Sequence, residues 1–219
     1  MSRIARIVAG GYPHHIIQRG NNRQAVFFDN EDRRFYLGLL KKYSRECESK
    51  VHAYCLMDNH VHMLATPRHD DSLARTMQKL SLSFTQHINK KHKRTGRLWE
   101  CRFHSSLVDR ESYLWAVCRY IERNPVRAKM VNKPSQYEWS SANKVRQNDI
   151  IESIWDANQR QEYMDYLNMP EDESQVQTIK KHTYSGRPIG SAEFIKHIGK
   201  VLKINLSTRP KGRPRKVEK

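Results

Sequence analysis

Two spacings of apolar residues organise the chain. Steps of three and four mark helices, and short apolar runs bounded by turn residues mark strands. Residues 12–19 read as a first strand, closed by the turn cluster Gly20-Asn21-Asn22-Arg23. Asp29 or Asn30 can cap a helix running to about Ser49, with Tyr36, Leu39, Leu40, Tyr43 and Cys47 as its buried stripe. Residues 51–57 and 60–65 are strands joined at Asp58-Asn59 into a hairpin, and Pro67 stops the second. Ser72 is placed to cap a helix over residues 73–92, whose apolar stripe is Leu73, Met77, Leu80, Phe84 and Ile88. Residues 99–108 read as a fourth strand. Asp109 then caps a helix over residues 111–124 that Pro125 ends, because the residue before a proline is pushed out of the α region.

The order strand, helix, hairpin, helix, strand, helix predicts an α+β domain. It would have an antiparallel sheet with helices packed on one face, ferredoxin-like or of the RNA-recognition type. This main domain is expected over residues 1–146, closed by Tyr137-Glu138-Trp139-Ser140-Ser141. Residues 147–206 change in character and predict a small, mostly helical extension, with Ser191 capping a helix that carries Phe194, Ile195, Ile198, Val201 and Leu202. Residues 207–219 form a basic, proline-bearing tail of disordered composition. Its Gly212-Arg213-Pro214-Arg215 resembles an AT-hook, an arm that lays arginines such as Arg213 and Arg215 in a narrow minor groove. Gly186-Arg187-Pro188 repeats the tripeptide with fewer basic neighbours.

Charge narrows the function. There are 40 Lys+Arg against 23 Asp+Glu, a formal charge of +17, which argues for a polyanionic partner and for nucleic acid first. No apolar run approaches the ~20 residues of a membrane span, and the N-terminal residues lack the apolar core of a secretory signal. A cytoplasmic nucleic-acid-binding protein is expected. Cys47, Cys55, Cys101 and Cys118 show no C-x-x-C spacing and read as reduced thiols; Cys101 and His104 lack a second pair at zinc-ligand spacing. Arg19 and Arg23 at a strand end could hold a phosphate or be solvated. The run holding Lys90, Lys91, Arg94 and Arg97 is a solvated loop or a phosphate-contacting one.

The chemistry centres on His60-Val61-His62. On a strand the two imidazoles point to one face while Val61 and Met63 point to the other, into a core. The pair suits a metal ion, or is two half-exposed strand histidines. Tyr120 and Asn124 are one helical turn apart and share a face. Tyr120 is either a core aromatic with a wet hydroxyl or a nucleophile, with Asn124 as third metal ligand. In the second case Arg19, Arg23, Arg119 and Arg123 are candidates to stabilise charge developing on a phosphodiester.

His60-Val61-His62 resembles the HUH motif, and residues 120–128 (Tyr120-Ile121-Glu122-Arg123-Asn124-Pro125-Val126-Arg127-Ala128) resemble the tyrosine segment of single-tyrosine HUH transposases. The blocks at residues 14–23, 99–108 and 139–141 resemble their surroundings, so the likeness spans roughly residues 10–146. It is strongest to the REP-associated tyrosine transposases of bacteria. The resemblance implies a metal-dependent endonuclease and strand transferase acting on single-stranded DNA beside palindromic hairpins. It implies a 5′-phosphotyrosine intermediate on Tyr120, with Mg²⁺ or Mn²⁺ held by His60, His62 and Asn124. It further implies a protein that works as a monomer, dimers being the state of insertion-sequence members. Imidazole ligands by themselves point to Zn, Cu, Fe or Ni. The alternative function is a hairpin-binding regulator derived from such an enzyme.

Overall fold

The computed structural model describes residues 6–143, 150–152 and 156–206. Four strands form one sheet: β1 (His14–Arg19), β2 (Ser49–Met57), β3 (His60–Pro67) and β4 (His104–Leu107). Their order is β2-β3-β1-β4, and each neighbouring pair is antiparallel. Helix α1 (Asn30–Glu46) joins β1 to β2, and α2 (Ser72–Lys91) joins β3 to β4. This connectivity is ferredoxin-like, as expected from the sequence.

The strand register sorts side chains onto two faces. Ile16 pairs with Met63 and Gln18 with Val61, so these four share one face. There they meet α1 and α2: Tyr36, Leu40, Leu73, Met77, Leu80, Phe84 and Ile88 are buried in the same core as Ile16, Val61 and Met63. Ser81 Oγ donates to Gln18 Oε1 at 3.0 Å and ties α2 to the sheet, and Tyr43 OH lies 2.8 Å from Ser83 Oγ and ties α1 to α2. The opposite face carries His15, Ile17 and Arg19, which pair with Leu64, His62 and His60. It receives α3 (Leu114–Glu122) and α6 (Glu173–Ser185). Tyr120 of α3 packs its ring against His15, and Thr183 of α6 hydrogen-bonds to the same histidine. The sheet is therefore covered on both faces, and the histidines lie under the C-terminal helices.

Several boundaries depart from the sequence reading. Asp29 does cap α1, accepting from Asp32 N, but the helix stops at Glu46. Residue Asp71, not Ser72, occupies the N-cap of α2, and Ser72 Oγ instead accepts from His69 N at 3.2 Å. The fourth strand is only four residues long. Trp99 makes an isolated bridge to Gly20, and Glu100 N donates to Arg19 O at 2.9 Å, so residues 99–103 extend β1 loosely rather than as a ladder. Asp109 caps the turn before α3, accepting from Glu111 N at 3.2 Å, and also binds Ser191 N at 3.1 Å. The tyrosine helix ends at Glu122, and Pro125 sits in the first turn of α4 (Asn124–Arg127), where its missing N–H costs no hydrogen bond.

The extension consists of α5 (Ala157–Asn168), α6 and α7 (Ala192–Val201). It is not a separate globule: Tyr163, Leu167, Val176 and Ile179 join the core under the sheet. Ser191 caps α7 as expected, accepting from Phe194 N at 3.1 Å, but Val201 on its expected apolar face is half exposed. Gly186 is the left-handed residue that terminates α6, with φ 71°, a role that accounts for it without any AT-hook. The boundary near residue 146, and the tail with Arg213 and Arg215, lie outside the described residues.

Candidate active site

His60 and His62 open β3 on the face that α3 covers. Their ring centroids are 5.0 Å apart, and Tyr120 stands 5.7 Å from His62 and 5.4 Å from His15, edge-on to both. A strand and the helix packed on it thus bring the two imidazoles and the phenol together. The sequence predicts His60 and His62 on one face through simple alternation.

Each imidazole is oriented through its Nδ1. His60 Nδ1 lies 2.6 Å from Asn59 Oδ1, and Asn59 Nδ2 donates to Arg23 O at 3.0 Å. Arg23 sits in a turn whose backbone is left-handed at Asn22 and Arg23, which turns that carbonyl toward the hairpin. His62 Nδ1 lies 3.0 Å from His15 Nε2. In both histidines Nε2 is the ring nitrogen left over. Burial holds both imidazoles neutral: His60 is lowered to about 4 and His62 well below its ordinary value, with nearby cationic Arg19 adding to both effects. Neutral imidazoles with a bare nitrogen are what a metal needs. Asn124 opens α4, two residues past the end of the tyrosine helix, and its Nδ2 donates to the Tyr120 and Ile121 carbonyls at 3.0 and 3.1 Å. Its Oδ1 is the atom of this side chain that could take a cation, and Asn124 is tied to the histidines through Tyr120, whose ring packs on His62. Two imidazoles and an amide oxygen fit Mn²⁺ more naturally than Mg²⁺.

Tyr120 is 7 % exposed. Burial raises its hydroxyl above the ordinary phenol value, while Arg127 and Arg19 pull it down. Arg127 lies over the ring, its guanidinium carbon 4.3 Å from the centroid, and donates to the Tyr120 carbonyl and, at 2.6 Å, to Glu171 Oε1. Arg19 pairs with His60 across β1 and β3, and its buried Nε has no hydrogen-bond partner among the described residues. On the same side Tyr184 of α6 packs near both Arg19 and His104.

The expected basic residues divide. Arg23 is exposed at the strand-end turn, and the loop with Arg94 and Arg97 packs on that turn: Arg94 donates to Gln24 Oε1 at 2.8 Å and Asn21 N to Leu98 O at 2.8 Å. Lys90 is exposed at the end of α2. Lys91 departs from expectation. It contacts Asp29, Asp32 and Glu31 at 2.7, 3.0 and 3.1 Å, so its charge is matched within the fold and ties α2 to α1. Among the described residues the one three-donor metal cluster, Asp29, Asp32 and His92, already holds that lysine. Arg119 and Arg123 also point elsewhere. Arg119 lies about 100° around the helix from Tyr120, Arg123 is the residue that caps its C-terminal end, and the two donate to the Met169 and Leu167 carbonyls at 2.6 and 2.8 Å. Cys101 Sγ lies 3.6 Å from His104 Nε2, and the four cysteines form no disulfide.

A family model described as "Transposase IS200 like" matches residues 10–124. The chain belongs to the IS200-like transposase family. The family match runs from before β1 to Asn124, so it takes in His60, His62 and Tyr120 and stops short of α5–α7. A Haemophilus influenzae protein named for the REP-associated tyrosine transposases is 26% identical over 129 residues, covering 53% of this chain and 73% of that protein. The solved structure of a REP-associated tyrosine transposase bound to a REP hairpin shares the fold, with a TM-score of 0.58 at 18% identity over 72% of this chain and 92% of that one. Among the described residues no helix is long and apolar enough to cross a membrane.

Sequence reasoning missed His15, Asn59, Arg127, Thr183 and Tyr184. Alternation along β1 puts His15 on the same face as Arg19, but its meeting with His62 depends on the β1–β3 register, which no local pattern reveals. Arg127 lies in α4, past the end of the tyrosine helix, so its approach to the Tyr120 ring depends on the turn at Arg123 and not on helical spacing.

Proposed function

We propose that this IS200-like protein is a REP-associated tyrosine transposase that cuts and rejoins single-stranded DNA beside hairpin elements, with Tyr120 as nucleophile. The observation that carries the reading is the packing of Tyr120 against His62, whose neutral imidazole, like that of His60 beside it, has its Nε2 left over. His60, His62 and Asn124 would hold Mg²⁺ or Mn²⁺, which when bound supplies Lewis-acid polarisation of the phosphodiester. Tyr120 Oη bonds to phosphorus, the 3′ oxygen of the preceding nucleotide departs and is protonated, and the phenolic proton passes to solvent. A 5′-phosphotyrosine and a 3′-hydroxyl result. Attack by another 3′-hydroxyl reverses the step, releasing Tyr120 and joining strands. Arg19, with an unpartnered Nε at the strand end, binds a phosphate oxygen, and Arg127 holds the phenol ring and favours its ionised form.

Arg23, Lys90, Arg94 and Arg97, which reach the surface, would track a DNA backbone, as would Arg213 and Arg215 of the tail. The protein acts as a monomer in the bacterial cytoplasm. The test is covalent trapping. Labelled single-stranded hairpin oligonucleotides are incubated with Mg²⁺, Mn²⁺ or chelator and run on a denaturing gel. A metal-dependent adduct lost in Tyr120→Phe is expected. Tight hairpin binding with no adduct on any substrate would instead establish a non-catalytic regulator.

A further inference from the structure

His62 is oriented by a chain of hydrogen bonds that begins in the C-terminal extension, outside the residues matched by the family model. Thr183 of α6, 1 % exposed, donates its hydroxyl proton to the Ile179 carbonyl at 2.8 Å. That hydroxyl has a single proton, so toward His15 Nδ1, 2.7 Å away, its oxygen can only accept. His15 therefore carries its proton on Nδ1 and presents a lone pair at Nε2. That lone pair faces His62 Nδ1 at 3.0 Å, which must then be the protonated nitrogen of His62. The only ring nitrogen of His62 left with a lone pair is Nε2. The opposite polarity would start from a threonine proton pointing at His15 and end with Nε2 of His62 protonated and unable to bind a cation. The Ile179 carbonyl, which can only accept and lies 2.8 Å from the Thr183 hydroxyl, favours the first. His60 reaches the same tautomer by a separate route, because Asn59 Nδ2 is committed to Arg23 O and its Oδ1 faces His60 Nδ1.

We infer that Thr183 and His15 are positioning residues that set the tautomer of His62, so that helix α6 of the extension completes the site of the IS200-like core. The inference rests on the metal-binding reading for its consequence, though not for the tautomer itself. Buried imidazole ligands depend on such outer partners to fix which nitrogen is exposed. Thr183→Val keeps the shape and removes the acceptor. Left with a buried N–H and no partner, His15 relaxes to the Nε2–H form, donates to His62 Nδ1, and moves the His62 proton to Nε2. Thr183→Ser keeps the acceptor.

The experiment has two readouts. Imidazole ¹⁵N NMR of the metal-free protein is expected to show His62 protonated at Nδ1 in the wild type and in Thr183→Ser, and at Nε2 in Thr183→Val. Mn²⁺ titration is expected to show affinity reduced about 10–100-fold in Thr183→Val and kept in Thr183→Ser. An unchanged His62 tautomer in folded Thr183→Val overturns the inference, and so does a wild-type His62 protonated at Nε2. If the tautomers behave as stated and the wild type binds no Mn²⁺, the relay stands and the metal-dependent reading falls.

Discussion

Replacing Tyr163 by Phe tests whether the C-terminal helices stabilise the tyrosine helix itself. Glu122, two residues after Tyr120, is buried and accepts 2.6 Å hydrogen bonds from Ser141 Oγ and from Tyr163 OH on α5. Burial raises its carboxyl above the ordinary glutamate value, and these two hydroxyls oppose that shift. Tyr163→Phe retains the ring, which lies 5.8 Å edge-on to Trp115, and deletes only the donor. A hydrogen bond to a charged group contributes about 1.5–3 kcal/mol net, and the abandoned carboxylate oxygen stays buried. A loss of about 2 kcal/mol lowers Tm by about 4–8 °C for a domain of this size. Thermal unfolding followed by circular dichroism measures it, and the Glu122→Gln background supplies the control. There the Tyr163→Phe cost should shrink, because the partner is no longer charged. A Tm unchanged by Tyr163→Phe, or a cost as large in the Glu122→Gln background as in the wild type, would refute the charged hydrogen bond as the source of stability.

Arg127→Gln should slow adduct formation about 100-fold, the scale of removing one electrostatic donor, while hairpin affinity stays unchanged; single-turnover trapping against filter binding separates the two. Stability should fall on acidification from neutral pH. His14 and His15 are neutral in the fold, lowered by burial to about 4 and about 3, whereas the unfolded chain takes up protons near the ordinary value of about 6.5. Folding stability is then lost as pH drops below that value, by up to about 1.4 kcal/mol per pH unit for each histidine, until the folded values are reached. Urea unfolding at a series of pH values reads the slope, and a flat profile would contradict the burial of neutral imidazoles. Lys91→Met should lower thermal stability without altering the salt dependence of hairpin binding, whereas Arg23→Ala should reduce that salt slope by about 0.7–0.9, one phosphate contact.

What the sequence made legible was local. The stripe Leu73, Met77, Leu80, Phe84, Ile88 is buried throughout, because a helix packed on one face needs that spacing and no other information. The His60–His62 face and the burial of Val61 and Met63 followed from strand alternation. What escaped was set by distant contacts. Lys91 looks like any member of a basic run, and only α1 beside it supplies the carboxylates that neutralise it. Residues 99–103 are apolar enough for a strand, yet Trp99 and Phe103 are buried by packing outside the ladder. Thr183 lies 168 residues from His15, so no window of sequence connects them.

The central claim is that Tyr120 is the residue joined to DNA. Tyr184 gives that claim a competitor, since it is 38 % exposed and packs near Arg19 on the same side of the sheet. The decisive measurement is mass spectrometry of the trapped adduct after protease and nuclease digestion. The account predicts a nucleotide joined through its 5′ phosphate to the peptide bearing Tyr120, with a free 3′-hydroxyl on the released strand. A nucleotide on Tyr184, or a 3′-phosphate linkage at any residue, would contradict it.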